Sequence, residues 1–232
     1  MRFVAAAFVC FSLSVIPVAN AQSSSCGVAL AVDVTSTVPL LPGEPLDLHL
    51  RVTNPANAPI SLSRPSEETG TVRVLINSDP SVSSFRRYRG PMWGLLDLEE
   101  PPRTLAARSS YDRPLRVLYQ SGRTAFALDA AGTYRFKATY QDSSACTPGI
   151  ETATVNVNVV APTGSDLVIW NAIKDCASCA FFLHTGVVRS TQADKDAVTL
   201  LRNLAKRYPK SRYSVAIRRQ LDALDSKSTP EQ

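Results

Sequence analysis

Leu128-Asp-Ala-Ala-Gly-Thr-Tyr-Arg-Phe-Lys-Ala-Thr-Tyr140 is the stretch on which the fold turns. Tyr134, Phe136, Ala138 and Tyr140 alternate with Arg135, Lys137 and Thr139, and strand side chains point to opposite faces with period 2. One face is therefore apolar and aromatic, the other polar, as in a strand buried on one side. The acidic-and-small loop before it ends on Gly132, a residue that can turn the chain where others cannot.

Outward from this strand the same alternation returns. Leu46, Leu48, Leu50 and Val52 alternate with Asp47, His49, Arg51 and Thr53. Strands are predicted at 28–34, 46–53, 60–62, 71–76, 82–88, 116–119, 124–128, 134–140 and 152–160. Pro39–Pro45 and Asn54–Pro59 are turn-rich connections, and the Pro-rich stretch 89–110, with Trp93, reads as irregular. Many short strands with turns between them and no helical period predict an antiparallel sandwich.

An apolar residue, a short loop, Gly and then a Tyr that opens a strand resembles the tyrosine corner of immunoglobulin-like sandwiches. The resemblance implies that the Tyr134 hydroxyl bonds back to the loop backbone, with Gly132 at the turn, as a structural corner. PGEPLDLHLRVTNPANAPISL (42–62) and AGTYRFKATY (131–140) together look like secreted immunoglobulin-like modules. More remotely, 28–160 is similar to the sandwich of the bacillar intracellular proteinase inhibitors. Those inhibitors carry a Leu-x-Pro-Gly-Glu turn before a late strand, where this chain reads Leu105-Ala-Ala-Arg-Ser-Ser110, so inhibition does not carry over with the resemblance.

After Ala161-Pro-Thr-Gly164 the period changes from 2 to about 3.6. Ser165 is placed to cap a helix carrying Leu167, Trp170 and Ile173. Thr191-Gln-Ala-Asp194 resembles a capping box with Asp for the usual Glu, and Ala197, Leu201, Leu204 and Tyr208 follow at helical spacing. Pro209 ends that helix, and Ser211 is expected to cap another carrying Tyr213, Ile217, Leu221 and Leu224. Residues 204–224, with Tyr-Pro-x-Ser-x-Tyr at the centre, are similar to helical hairpins of extracytoplasmic tetratricopeptide-type proteins. A single such unit has too little core to stand alone. It is expected to pack on the preceding helix, then on the sandwich, then on a partner, in that order of preference.

The first 21 residues read as an export signal: Arg2, the apolar run Phe3–Val18 and the A-x-A site Ala19-Asn20-Ala21. The expected organisation is signal peptide 1–21, immunoglobulin-like β-sandwich 22–161, helical domain 165–226 and disordered tail 227–232. The fold class is thus mainly β, an antiparallel immunoglobulin-like sandwich followed by a small α-helical C-terminal segment. The expected location is secreted or periplasmic, with no integral membrane segment after signal removal. Charge is uneven: 22–163 carries 13 Lys plus Arg against 13 Asp plus Glu, whereas 164–232 carries 11 against 7.

Of five cysteines, Cys10 leaves with the signal, and Cys26, Cys146, Cys176 and Cys179 remain. An even number in an exported chain favours disulfides, here Cys26–Cys146 and Cys176–Cys179, each within one domain. Cys176-Ala-Ser-Cys179 is the motif with reactive potential, because a Cys-x-x-Cys at a helix N-terminus lowers a thiol pKa. Here it is expected to follow a helix, with Asp175 disfavouring a thiolate and Phe181-Phe182 burying Cys179. A structural disulfide is preferred over a redox pair. Haem attachment would need His where Ala180 stands, and four-sulfur zinc would need Cys26 and Cys146 at the same place. No metal site or cofactor is expected.

His49 lies on a polar strand face, and His184 in Phe181-Phe-Leu-His lacks a neighbouring carboxylate; neither reads as a catalytic base. Phe85-Arg-Arg-Tyr-Arg89 is better explained by strand arginines than by nucleic-acid stacking. Arg202, Lys206, Arg207, Arg218 and Arg219 form the candidate partner-binding face, fit for an acidic protein. The leading reading is an exported non-enzymatic interaction or adaptor module of unknown protein partner, with no nucleic acid. Two others stay open: a thiol-disulfide redox protein using the CASC pair, and a protease inhibitor acting through the loop 89–108.

Overall fold

The computed structural model describes residues 22–23, 27–34, 38–63, 70–79, 81–91, 103–122, 125–142 and 146–227. In chain order the strands are β1 (Gln22–Ser23), β2 (Ala29–Val34), β3 (Leu46–Thr53), β4 (Ile60–Leu62), β5 (Val72–Asn77), β6 (Arg86–Arg87), β7 (Arg103–Leu105), β8 (Ser110–Val117), β9 (Gly132–Asp142), β10 (Cys146–Glu151) and β11 (Val155–Val159). The helices α1 (Gly164–Ile173), α2 (Ala177–Thr185), α3 (Gln192–Arg207) and α4 (Arg212–Lys227) follow. The chain is mainly β, with its helices at the C-terminal end.

One antiparallel sheet runs β1-β2-β3-β8; a second runs β10-β9-β5-β6, with β11 also on β9; β4 and β7 make a small third. Alternation explains the register. Leu46, Leu48, Leu50 and Val52 of β3 are buried together with Val72, Val74 and Ile76 of β5 and Tyr134, Phe136, Ala138 and Tyr140 of β9, in one core. Each such aliphatic side chain contributes about 1.5–3 kcal/mol on burial. Strand β9 is the hub: β5 takes one edge, β10 and β11 the other. Between Glu151, opposite Thr139, and Val155, opposite Phe136, four steps oppose three, which makes a bulge. Thr152 fills it, accepting the Ala138 N–H at 2.9 Å on its hydroxyl while its own N–H reaches Ala138 O.

Several boundaries differ from the sequence reading. In 82–88 only Arg86–Arg87 pair as strand, because Asn77 Nδ2 donates to the carbonyls of Val82 and Ser84 at 2.7 and 2.6 Å and holds that segment as a loop. Strand β8 begins at Ser110, inside the stretch read as irregular, and contains Pro114; Pro is tolerated there because β8 ends its sheet. Likewise Arg103–Leu105 pairs with β4. The expected strands at 116–119 and 124–128 reduce to the end of β8 and one bridge, Tyr119 to Phe126.

The helices show where packing overrides pattern. In α1 the buried residues are Ile169, Trp170 and Ile173, while Leu167 is exposed; the N-cap is Thr163, not Ser165, and makes no side-chain cap bond. The helix α2 was not foreseen. Its Cys179–Leu183 run is buried throughout, so no polar face marks its period. Thr191 does cap α3, accepting the Asp194 N–H at 3.2 Å. The cap of α4 comes from elsewhere: Asp166 of α1 accepts the Arg212 N–H at 2.9 Å and the Ser211 hydroxyl at 2.6 Å.

Helices α3 and α4 pack on α1 and α2, and that bundle shares a second core with Leu41, Leu118 and Phe126 from one end of the sandwich. No helix among the described residues is long and apolar enough to cross a membrane.

Candidate functional site

The joint between sandwich and helices begins at Pro39–Glu44, part of the stretch read from sequence as a turn-rich connection. It is anchored by a parallel bridge from Leu40 to Val159. Gly43, at φ +74°, lies beneath Trp170; a Cβ there would stand 2.5 Å from the indole, so only glycine fits. Glu44 is buried. Its Oε2 accepts the Leu41 N–H at 2.8 Å and Arg212 Nη2 at 2.6 Å, and its Oε1 accepts Arg212 Nε at 3.0 Å. Arg212 also donates to Pro39 O at 3.0 Å, and the Tyr213 hydroxyl to Pro42 O at 2.6 Å. The Trp170 ring stacks with Tyr213 and meets Phe126 edge-on.

Burial drives the electrostatics here. Desolvation raises the Glu44 carboxyl above the usual carboxylate range, against the pull of the Leu41 N–H and of Arg212. The Tyr213 phenol is raised by burial and by the nearby charges of Glu44 and Asp166.

A second contact runs through α2. His184 Nδ1 accepts the Tyr119 N–H at 3.2 Å, and Phe181 meets the Tyr119 ring edge-on. Burial, aided by the Arg116 charge, lowers the His184 pKa to about 4, so the imidazole is neutral, with its proton on Nε2. Arg189 covers Phe181 and clamps Asp194 with two bonds of 2.9 and 2.8 Å. Those bonds, with help from Thr191 and Ser178, lower the Asp194 carboxyl to about 2 despite its burial.

The sequence-predicted residues fall in three places. Cys26 lies outside the described residues, and with it the pairing to Cys146, whose backbone sits in β10 opposite Asp142. Cys176 and Cys179 form a disulfide. The motif starts a helix: Cys176 is the N-cap of α2, and its Sγ accepts the Cys179 N–H at 3.1 Å. Cys179 is fully buried in the second core; Cys176 is partly exposed. Beside them opens a groove of about 450 Å³, its walls including Tyr119, Gln120, Ala125, Trp170, Asp175 and Ala177.

Tyr134 is 2 % exposed; its hydroxyl accepts the Ala130 N–H at 3.1 Å and lies 3.1 Å from both Asp129 Oδ1 and Ala130 O. Gly132, at φ +150°, turns the chain into the strand. The basic residues lie along α3 and α4. Lys206, Arg207, Arg218 and Arg219 are exposed; Arg202 pairs with Asp225, Arg218 donates to Pro209 O, and Arg207 covers Tyr208. Arg202, Lys206 and Arg218, with Asp222 and Asp225, line a groove of about 310 Å³ between α3 and α4. Sequence reasoning singled out none of Glu44, Asp166 and Arg212 as site residues, and took Tyr213 only as part of a helix face. A charge inside a Pro-Gly-Glu-Pro turn next to two leucines was the available signal.

Phe85-Arg-Arg-Tyr-Arg89 divides between core and surface: Tyr88 is buried, and Arg135 and Lys137 lie over the Phe85 ring. His49 is exposed on β3. In the loop 89–108, residues 92–102 lie outside the described residues. Among the described residues no group of three or more His, Cys, Asp or Glu is placed to hold a metal ion.

No family model matches this chain. No curated protein matches it either. Solved structures match over about three fifths of the chain. The CARDB domain of the PF1109 protein from Pyrococcus furiosus is 14% identical over 60% of this chain and 99% of its own, at a TM-score of 0.31. The sporulation control protein Spo0M of Bacillus subtilis is 7% identical over 61% of this chain and 52% of its own, at 0.33. A β-glucosidase from Listeria innocua is 12% identical over 58% of this chain and only 16% of its own, at 0.32. Scores of this size carry no functional argument, and the architecture rests on the chain's own sheets.

Proposed function

We propose that the chain is an exported, non-enzymatic interaction module: an immunoglobulin-like sandwich that holds out a four-helix arm, working in a secreted or periplasmic setting. The observation that carries this is the exposed basic surface of α3 and α4, where Lys206, Arg207 and Arg219 stand on a scaffold anchored to the sandwich through Arg212, Tyr213 and the shared core. Arg212 is absorbed by the joint and Arg207 lies over the Tyr208 ring, whereas Lys206 and Arg219 stand exposed. The partner that such a face fits is an acidic protein surface, and its attraction is a screened, salt-sensitive one.

The test is affinity capture from an extracytoplasmic fraction with two baits, the native chain and a Lys206→Glu, Arg207→Glu, Arg219→Glu triple variant. A protein held by the first at physiological salt and lost from the second, and from the first at high salt, supports the reading. Equal retention by both baits, or none by either, rejects the basic face as the binding surface.

A further inference from the structure

We propose that Cys176–Cys179 is an exchangeable disulfide, and that Cys176 is the sulfur at which a thiol-bearing polypeptide is captured. This goes beyond the binding face above and does not depend on it. The pair opens α2, not α3 or α4.

Three independent placements lead there. Cys176 is the N-cap of the nine-residue α2, with the Cys179 N–H on its Sγ at 3.1 Å. That bond and the positive end of the helix stabilise a thiolate more than a thiol. The sulfurs are unequal: Cys179 is sealed in the helical core at 0 % exposure, and Cys176 is partly exposed. Finally, the two neighbours of Cys176 in the chain, Asp175 and Ala177, form part of the wall of a groove of about 450 Å³ with Trp170, Tyr119 and Gln120. Its mixed apolar and polar lining suits the side chains of an extended polypeptide. Lys174 and Asp175, a cation and an anion, both line the groove.

The exchange balances without an added reagent. The partner thiolate attacks Sγ of Cys176; the Cys176–Cys179 bond breaks; Cys179 leaves as a thiolate and takes a proton from water. The attacking sulfur is oxidised and Cys179 is reduced, with a mixed disulfide at Cys176. A return attack by Cys179 releases the partner. Alternatively a second thiolate of the partner attacks its own bridged sulfur. The partner then leaves as a disulfide and Cys176 as a thiolate, with the Cys179 N–H on its sulfur. Exchange through a reachable sulfur with a buried resolving one is the behaviour of labile rather than structural disulfides.

The test uses the mature full-length chain in two forms. Cys179→Ala, whose Cys176 is a free thiol, is offered millimolar oxidised glutathione and, separately, an unfolded protein with its disulfides intact. The native chain, whose bond is closed, is offered millimolar reduced glutathione and, separately, a reduced unfolded protein. Peptide mass mapping locates any adduct apart from Cys26 and Cys146. The expected result is a mixed disulfide at Cys176 in Cys179→Ala. Alkylation there at pH 7 should run about tenfold faster than in the urea-unfolded chain, one pKa unit of extra thiolate. A glutathione adduct without one to the unfolded protein would overturn the polypeptide partner. If Cys179→Ala does not fold by circular dichroism, the native chain decides. Opening of its disulfide by glutathione while folded supports the proposal, and a bond that stays closed overturns it. No adduct at Cys176 in any folded form also overturns it.

Discussion

Tyr134 and His184 show how much a single polar atom does when water cannot reach it. The Tyr134 hydroxyl is at once acceptor for Ala130 N–H and donor to the Asp129–Ala130 loop, so it ties the loop to the start of β9. Tyr134→Phe keeps the ring and orphans that N–H, and should cost about 1–3 kcal/mol in denaturant melts. An unchanged midpoint would mean that the ring alone holds the corner. His184 is a matter of sign. Its folded pKa, about 4, lies below its ordinary 6.5, so the unfolded chain binds more protons between those values. Stability is present in full above pH 6.5 and falls as pH drops towards 4, by up to about 3 kcal/mol. Melts at pH 7 and 4.5 check this: His184→Gln, which has no such proton to take up, should lose less over the interval than the native chain.

At the scale of elements, the loop Pro39–Glu44 and the start of α4 form a lock in which shape and charge fail differently. Gly43→Ala puts a methyl into Trp170 and an L-residue at positive φ, and should cost about 2–4 kcal/mol at every pH. Arg212→Met leaves Glu44 buried without its partner. Because Arg212 is half exposed, the cost at pH 7 should be roughly 1–2 kcal/mol, less than the loss from a fully buried pair. Glu44 already titrates above its usual range, so without Arg212 it takes a proton more readily. The deficit should therefore shrink as pH falls below the Glu44 pKa and grow as it rises. Comparing both variants with the native chain from pH 4 to 8 checks this, and a pH-independent deficit for Arg212→Met would dismiss the charge argument.

The whole molecule should unfold as one body. Leu41, Leu118 and Phe126 belong to the sandwich by chain and to the helical core by contact, so neither part closes its apolar surface alone. Calorimetry of the mature chain should give one transition whose calorimetric and van't Hoff enthalpies agree. The isolated segment 22–161 should melt lower and bind a hydrophobic dye through its bared end. Two resolved transitions in the intact chain would show instead that the joint is weaker than either half.

Alternation in 46–53 and 134–140 determined those strands by itself, because a half-buried strand writes its two faces into every second residue. Thr191 and Asp194 likewise declared the start of α3, since a cap is a contact across three residues. The reach of such signals is short. The apolar α2 carried no period to read, so the CASC motif, which does follow α1, gave no sign that it also opens a second helix. Asn77 turned a segment read as strand into a loop through bonds five and seven residues away. Most of all, only the tertiary structure could decide the joint, because Glu44 and Arg212 lie 168 residues apart. Whether a charged residue in a turn faces water or a guanidinium depends on which surface arrives to cover it. That is a property of the packed molecule and not of the turn.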